Sequence, residues 1–188
     1  MAVECGDDVS RGAAAAIERL RRRVTATAPA ARLTWASPDR LHLTVRFIGE
    51  VAAPAAEAIA AALRPAIPMV PFDVSMAGFG TFPGRGAPRV IWAGLTSGLQ
   101  PLREVEAEVT ARLRKTGVPP ESRPYSPHLT LARVRDPAGL RAAALFEELP
   151  DQVLGTAHVD AITLFESRLS PKGATYVALQ RTPLTGVP

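Results

Sequence analysis

With 188 residues, of which 47% are hydrophobic and 21% charged, the chain has the length and composition of a globular protein with a packed core. Its net charge of +4 permits a polyanionic partner without requiring one. Cys5 is the only cysteine, which excludes a disulfide framework and fits a cytoplasmic location. We expect no signal peptide, because acidic residues precede the N-terminal apolar run, and no membrane span, because no apolar run reaches roughly 18 residues.

The first half of the chain predicts a helix, a strand, a helix and a strand, in that order. Apolar residues spaced three and four apart predict a helix over 9–24 with Asp8 as its N-cap. Residues 40–48 are rich in β-branched and aromatic side chains and predict a strand. A second helix begins at Pro54, and strict apolar alternation predicts a half-buried strand over 70–76.

The second half repeats this order after a Gly/Pro-rich loop at 80–88. We predict a strand over 89–95 and a helix over 99–116 that ends at Gly117. A strand containing His128 follows, then a helix begun by Asp136 and Pro137, and strands over about 159–167 and 174–180. A repeat on this scale predicts two related lobes within one domain spanning residues 1–188.

Two of the three histidines stand in the same short pattern, "HLTV" at 42–45 and "HLTL" at 128–131. Alternate side chains along a strand share a face, so His42 and Thr44 point one way and the aliphatic residues between and after them point the other. His128 and Thr130 have the same relation. Because the aliphatic side chains favour the core, an approximate two-fold relation between the lobes would bring both His-Thr pairs to one cleft.

Such a cleft suits displacement at phosphorus. One imidazole can activate the nucleophile while a second protonates the leaving oxygen, since histidine titrates near neutral pH. Two threonine hydroxyls can donate hydrogen bonds to the non-bridging oxygens. The reaction requires no metal or other cofactor, and the spacing alone leaves the two histidines interchangeable.

Other interpretations of the histidines are weaker. A single His-x-Thr on a strand is most often structural, but two copies favour catalysis. A metal site is disfavoured, because neither motif contains a His-x-His or His-x-x-x-His pair and cysteine ligands are absent. We interpret His158, which lacks a threonine partner and is predicted to open a strand, as a surface or structural residue.

Four blocks extend the pattern: "LHLTVRFIGEV" (41–51), "GFGTFPGRGAPRVIWAGL" (78–95), "SRPYSPHLTLARVR" (122–135) and "FESRLSPKGATYVAL" (165–179). In this order they resemble the two-histidine (2H) phosphoesterase superfamily and, more narrowly, the bacterial RNA 2′,3′-cyclic phosphodiesterases of the 2′-5′ RNA ligase family. The resemblance implies a bilobal α+β fold, two pseudo-two-fold-related lobes whose antiparallel sheets face a central cleft. It also implies hydrolysis of RNA 2′,3′-cyclic phosphate ends to 2′-phosphates.

The same resemblance assigns roles. His42 would be the proton donor to the 3′ leaving oxygen, His128 the proton acceptor from water, and Thr44 and Thr130 would hold the phosphoryl oxygens. The implied partner is RNA with 2′,3′-cyclic phosphate termini, with tRNA fragments and small cyclic nucleotides as candidates, and we expect a monomer. Two alternatives stay open: reversible 2′-5′ ligation of tRNA halves, and an RNA-end-binding module without catalysis.

Three further residues are candidates for substrate binding. Arg46, four positions after His42, would share its strand face and reach the phosphate; pairing with a nearby carboxylate is the alternative. Arg123 and Tyr125, in "RPYSPH", could contact a phosphate and stack on a base. For Tyr125, packing under the strand is slightly favoured.

The glycine-rich loop and the start of the chain raise two more expectations. Arg85 and Arg89 could steer RNA toward the cleft, although a solvated loop has the same composition. The resemblance implies a full apolar first strand, but only "AVEC" precedes the first helix. Two explanations are open: a start codon that is placed late, or a truncated first strand, whose loss would weaken the sheet and one wall of the cleft.

Overall fold

The computed structural model describes residues 1–147, 149, 153–170 and 173–186, and in these residues nine strands and four α-helices form an α+β fold. The strands are β1 (Ala2–Glu4), β2 (Arg32–Trp35), β3 (His42–Thr44), β4 (Phe72–Phe82), β5 (Val90–Leu95), β6 (Leu129–Asp136), β7 (Val153–Val159), β8 (Ala161–Ser170) and β9 (Gly173–Pro183). The helices are α1 (Gly6–Thr27), α2 (Ala53–Leu63), α3 (Leu99–Arg114) and α4 (Ala142–Phe146), and a 3₁₀ turn spans Pro38–Arg40. No helix in the described ranges has the length and apolar character to cross a bilayer.

The strands form one antiparallel sheet in the order β7-β4-β5-β6-β3-β1-β8-β9, with β2 also paired to β6. The two HLT segments therefore lie at its centre, and each is flanked outward by three strands. Helix α1 packs on β7 and α4, whereas α2 packs on α3 and β9. The predicted α+β fold with antiparallel pairing and the repeated order of elements are confirmed.

The two halves of the sheet are interleaved along the chain. Strand β4, which ends the first repeat, pairs with β5 of the second, while β8 returns to pair with β1. Each half of the sheet thus contains strands from both repeats. This exchange ties the halves together, so neither repeat builds its half of the sheet alone.

A single register pair joins the two halves. Leu43 of β3 is opposite Leu129 of β6, and both side chains are fully buried. In antiparallel pairing this register sets position 42 opposite 130 and position 44 opposite 128. The local two-fold axis of the sheet therefore passes through the two leucines.

A bulge in β6 follows this junction. Strand β5 pairs Trp92 with Thr130 and Ile91 with Ala132, so Leu131 is an extra residue on β6. Side-chain direction normally alternates, and one extra residue reverses the alternation beyond it. Arg133, opposite Val90, therefore lies on the same face as Thr130.

Several predicted boundaries are wrong for identifiable reasons. Asp8 does not cap α1, because the helix begins earlier, at Gly6. Instead, the Oδ2 atom of Asp8 accepts a hydrogen bond of 3.0 Å from the backbone N–H of Thr156 on β7. The strand predicted over 40–48 is only His42–Thr44. The Asp136 Oδ1 accepts from the Ala138 N–H at 3.1 Å, which forms a turn, and α4 begins only at Ala142.

Other differences concern strands. The sequence pattern missed β2 and β7, and the loop predicted from residue 80 begins later, because β4 continues to Phe82. The first strand has three residues, as expected from its short sequence. It nevertheless pairs with β3 on one side and β8 on the other, so the central sheet is continuous here.

We expect Leu43→Ala to lower the free energy of unfolding by about 2–5 kcal/mol, since it removes a fully buried side chain at the junction of the halves. Urea denaturation monitored by tryptophan fluorescence measures this change. Phe47→Ala is the control, because Phe47 is 75% exposed and its truncation should change stability by less than about 0.5 kcal/mol. Equal losses from both variants would contradict a central role for the Leu43–Leu129 pair.

Candidate active site

The Leu43–Leu129 register brings the four motif residues together on one face of the sheet, which we call the catalytic face. His42 lies opposite Thr130, and His128 lies opposite Thr44. Side chains opposite each other on antiparallel strands have Cβ atoms about 5 Å apart. All four are half-buried, whereas Leu43 and Leu129 are fully buried on the opposite face, as their alternation predicts.

The two imidazoles are held in equivalent orientations. The Nδ1 atom of His42 is 2.9 Å from the carbonyl oxygen of Arg40, and the Nδ1 atom of His128 is 2.8 Å from the carbonyl oxygen of Ser126. A carbonyl can only accept, so each Nδ1 carries the proton and donates it. Each Nε2 is left for a substrate. A neutral ring can then accept a proton there, and a charged ring can donate one.

Burial affects the charge state of His42. Desolvation lowers the pKa of His42 below its ordinary value of 6.5. The hydrogen bond to the Arg40 carbonyl acts in the opposite direction, and the positive charges of the Met1 amino group and Arg133 lower the pKa further. In the substrate-free protein, burial therefore favours the neutral form of His42.

Aromatic rings border both histidines. The Tyr176 ring meets His42 edge-on at a centroid distance of 5.0 Å, and the Phe82 ring meets His128 edge-on at 4.9 Å. Trp92 lies 6.4 Å from His128, and its ring occupies the space that a Cβ would fill at Gly80. These rings limit solvent access to both imidazoles and offer flat surfaces on which a nucleobase can stack.

The sequence pattern missed Arg133. Five residues separate it from His128, so strict alternation assigns the two to opposite faces. The β6 bulge returns Arg133 to the catalytic face, and its charge acts on His42. No local sequence signal marks the bulge, although an arginine shortly after the second motif was visible.

Arg46 lies elsewhere than predicted. Strand β3 ends at Thr44, and the Arg46 side chain is buried, with Nη2 donating to the Pro119 carbonyl at 2.6 Å and Nη1 3.8 Å from a Glu121 carboxylate oxygen. The prediction that it shares the strand face of His42 is wrong. Its contacts match the alternative of carboxylate pairing. They also link the segment that precedes His128 to the residues that follow β3.

Tyr125 also links the segment that precedes His128 to β3. Its hydroxyl donates to the Thr44 carbonyl at 3.1 Å, and burial raises the pKa of the phenol, which keeps it a neutral donor. Packing against the core is thus its observed position, and its stacking on a base stays a prediction. Arg123, two residues earlier, is exposed beside it, and its contact with a phosphate is likewise a prediction.

The remaining candidates lie outside the motif cluster. Arg85 and Arg89 are exposed between β4 and β5, and their steering of RNA stays a prediction. His158 does not open a strand, because it lies near the end of β7. Its Nδ1 is 2.7 Å from Asp73 Oδ1 on β4, and both side chains are largely exposed.

The fold matches that of solved structures along nearly its whole length. The protein TT0787 of Thermus thermophilus is 26% identical, with a TM-score of 0.74 over 98% of this chain and 96% of that one. E. coli LigT, crystallised with 3′-AMP, is 24% identical with a TM-score of 0.71 over 98% of this chain and 95% of its own, a likeness of fold alone.

The chain belongs to the 2′-5′ RNA ligase superfamily, whose family model matches residues 9–170. This confirms the resemblance seen in the four sequence blocks. An RNA 2′,3′-cyclic phosphodiesterase of Aeropyrum pernix is 37% identical over 142 residues, covering 75% of this chain and 80% of that protein. A protein of the same name from Thermotoga maritima is 28% identical over 187 residues, covering 99% of this chain and 95% of its own.

We expect the His42 ring to titrate below pH 6.5, because burial disfavours its charged form. NMR titration of the imidazole protons measures this pKa, with His42→Asn to assign the signals. Arg133→Gln should raise the pKa of His42 but leave it below 6.5, since burial is the larger cause of its lowering. Arg103→Gln on α3, an equal charge change at an exposed site, should leave it unaltered; a His42 pKa at or above 6.5 would contradict this assignment.

Proposed function

We propose that this protein hydrolyses 2′,3′-cyclic phosphate ends of RNA to 2′-phosphates by acid-base catalysis between His42 and His128. The observation that carries the proposal is the paired geometry of the two imidazoles. They lie on one face around the Leu43–Leu129 pair, and each has its Nδ1 proton engaged and its Nε2 available. Relatives named RNA 2′,3′-cyclic phosphodiesterase at up to 37% identity give the substrate class its support.

In the proposed reaction, His128 Nε2 takes a proton from water as the water oxygen attacks phosphorus. The P–O3′ bond breaks, and His42 Nε2–H gives its proton to the departing O3′. The product carries a 2′-phosphate and a 3′-hydroxyl, and proton exchange with solvent resets both rings. The hydroxyls of Thr44 and Thr130 donate to the non-bridging oxygens, where negative charge accumulates in the transition state.

The lowered pKa of His42 is compatible with the role of proton donor. Burial favours its neutral form in the free protein, but an anionic cyclic phosphate beside the ring favours the imidazolium. The negative charge of the substrate thus increases the fraction of His42 that is protonated and able to act as the acid. The Arg133 guanidinium, on the same face, is placed to stabilise the same phosphate by a charge-assisted hydrogen bond.

Finer assignments belong to the same proposal. We infer a monomer acting in the cytoplasm on RNA fragments, which include tRNA halves. The family description supports a second activity, 2′-5′ ligation, in which a ribose hydroxyl replaces water as the nucleophile at the same two histidines. An RNA-end-binding module without catalysis is the alternative that leaves both imidazoles unused.

We expect His42→Ala and His128→Ala each to reduce hydrolysis of an RNA oligonucleotide ending in a 2′,3′-cyclic phosphate by about 10²–10⁴-fold, because each removes one proton-transfer group. Product mapping on wild type should give a 2′-phosphate, at an unchanged rate in EDTA. His158→Ala is the control and should retain full activity.

Three outcomes separate the alternatives. Activity lost in EDTA and restored by zinc would overturn the two-histidine mechanism. A 2′-5′-linked product formed when a 5′-hydroxyl RNA is added would identify ligation. Tight binding of the RNA end by wild type without turnover would identify a binding module.

The donor and acceptor roles can be separated with a substrate that carries sulfur in place of the bridging 3′ oxygen. A thiolate leaves without protonation, so we expect this substrate to restore His42→Ala to near the wild-type rate. His128→Ala should stay inactive, because activation of water is still required. Rescue of His128→Ala instead would reverse the two roles, and single-turnover rates measure the difference.

A further inference from the structure

The positive charges on the two sides of the catalytic face are arranged differently. On the β8–β9 side, Arg181 pairs with Asp160 at 2.8 Å and Arg168 with Glu166 at 2.9 Å. On the β2–β6 side, arginines at 32, 133 and 135 form no ion pair within the described residues. Arginines without an ion pair thus lie along the β2–β6 side of the catalytic face.

Strand register aligns these arginines with the motif residues. Thr34 pairs with Arg133, so it faces the same way as Thr130, and its neighbours Leu33 and Trp35 point to the core. Arg135 is the extra residue on β6 where the β2–β6 register shifts, and it lies beside Thr34 because its Nε donates to Thr34 Oγ1 at 3.3 Å. Arg32, two residues before Thr34, is also exposed.

We propose that Arg32, Thr34 and Arg135 form a binding track for the phosphates of an RNA strand that precede its cyclic end. This inference rests on the proposed function, because it assigns residues that would bind the RNA chain leading to the cyclic phosphate. Guanidinium groups bind phosphate oxygens in bidentate fashion, and the hydroxyl of Thr34 donates or accepts beside them. At its end nearest the motif residues, the track adjoins Arg133, which lies on the same face as Thr130.

The length of the track sets which substrates it can distinguish. Thr130 and Arg135 are five residues apart, which at about 3.3 Å per residue and with one bulge is roughly 15 Å. A cyclic mononucleotide has one phosphate, which the motif residues occupy. Only a substrate of several nucleotides can reach Arg135 and Arg32 at the same time, so the track should favour oligonucleotides.

Asp136 sets a limit to the track. It lies opposite Arg32 in the β2–β6 register, and its Oδ1 accepts from the Ala138 backbone. Its negative charge opposes a phosphate at that end. Asp136→Asn is therefore a converse variant, in which removal of one charge should strengthen binding of RNA.

The test measures binding and turnover with the same variants. Fluorescence anisotropy gives the Kd of a 5′-labelled single-stranded RNA of eight nucleotides ending in a 2′-phosphate, at 50–200 mM salt. We expect the double variant Arg32→Gln/Arg135→Gln to raise Kd about 10-fold at low salt. Its slope of log Kd against log salt should fall by about 1.4, because each lost phosphate contact on a single strand accounts for about 0.7.

The control variant removes two charges elsewhere. Arg103→Gln/Arg114→Gln changes two exposed arginines of α3 and should leave the slope as in wild type. The turnover measurement is the ratio of kcat/KM for the cyclic-ended octanucleotide to that for 2′,3′-cyclic AMP. We expect the track variant to lower this ratio about 10-fold and Asp136→Asn to raise it.

The outcomes separate the track from the chemistry. An unchanged salt slope and an unchanged ratio in the track variant would overturn the track while hydrolysis stands. Loss of RNA affinity in the track variant, with no hydrolysis of either substrate by wild type, would support the track and overturn the proposed reaction. Equal losses of RNA affinity in the track and control variants would show that only the net charge of the protein matters, and would overturn the track.

Discussion

The backbone pairing of Leu43 with Leu129 is the constraint on which the site depends. It is the register pair that joins β3 to β6, and it buries two leucines completely on the core face. Burying one such side chain contributes about 1.5–3 kcal/mol. Because side chains alternate along a strand, the same pairing directs His42, Thr44, His128 and Thr130 to the other face. A slip by one residue would exchange the two sets, so core packing and site geometry are fixed together.

The surroundings of the motifs then give each ring a defined chemistry. Backbone carbonyls at Arg40 and Ser126 hold the two Nδ1 protons, which leaves both Nε2 atoms available. Arg46 and Tyr125 attach the segment before His128 to the end of β3. The two motifs are therefore linked by the Leu43–Leu129 pair and by these side chains. The two imidazoles have equivalent orientations, but a different aromatic ring borders each of them.

Interleaving of the repeats explains how a short chain supports this arrangement. Strands β4 and β8 each pair with a strand of the other repeat, so both halves of the sheet depend on distant parts of the sequence. The three-residue β1 lies between β3 and β8, where pairing on both sides compensates for its length. The missed strands have a similar explanation. Strand β2 is stabilised by pairing with β6, and β7 by pairing with β4, and local residue pattern carries little of either interaction.

The sequence by itself determined the α+β class, the order of the main elements, the two His-x-Thr motifs and the family, because these follow from local periodicity and from short motifs. Tertiary structure decided which arginine lies beside the histidines. Counting by two along the strand assigned Arg46 to the face of His42, and Arg133 was not predicted at all. The assignment of Arg46 was wrong because β3 ends at Thr44, and Arg133 lies on the face of Thr130 because a bulge in β6 reverses the alternation before it. Strand ends and bulges depend on pairing with neighbouring strands, and that pairing exists only in the folded sheet.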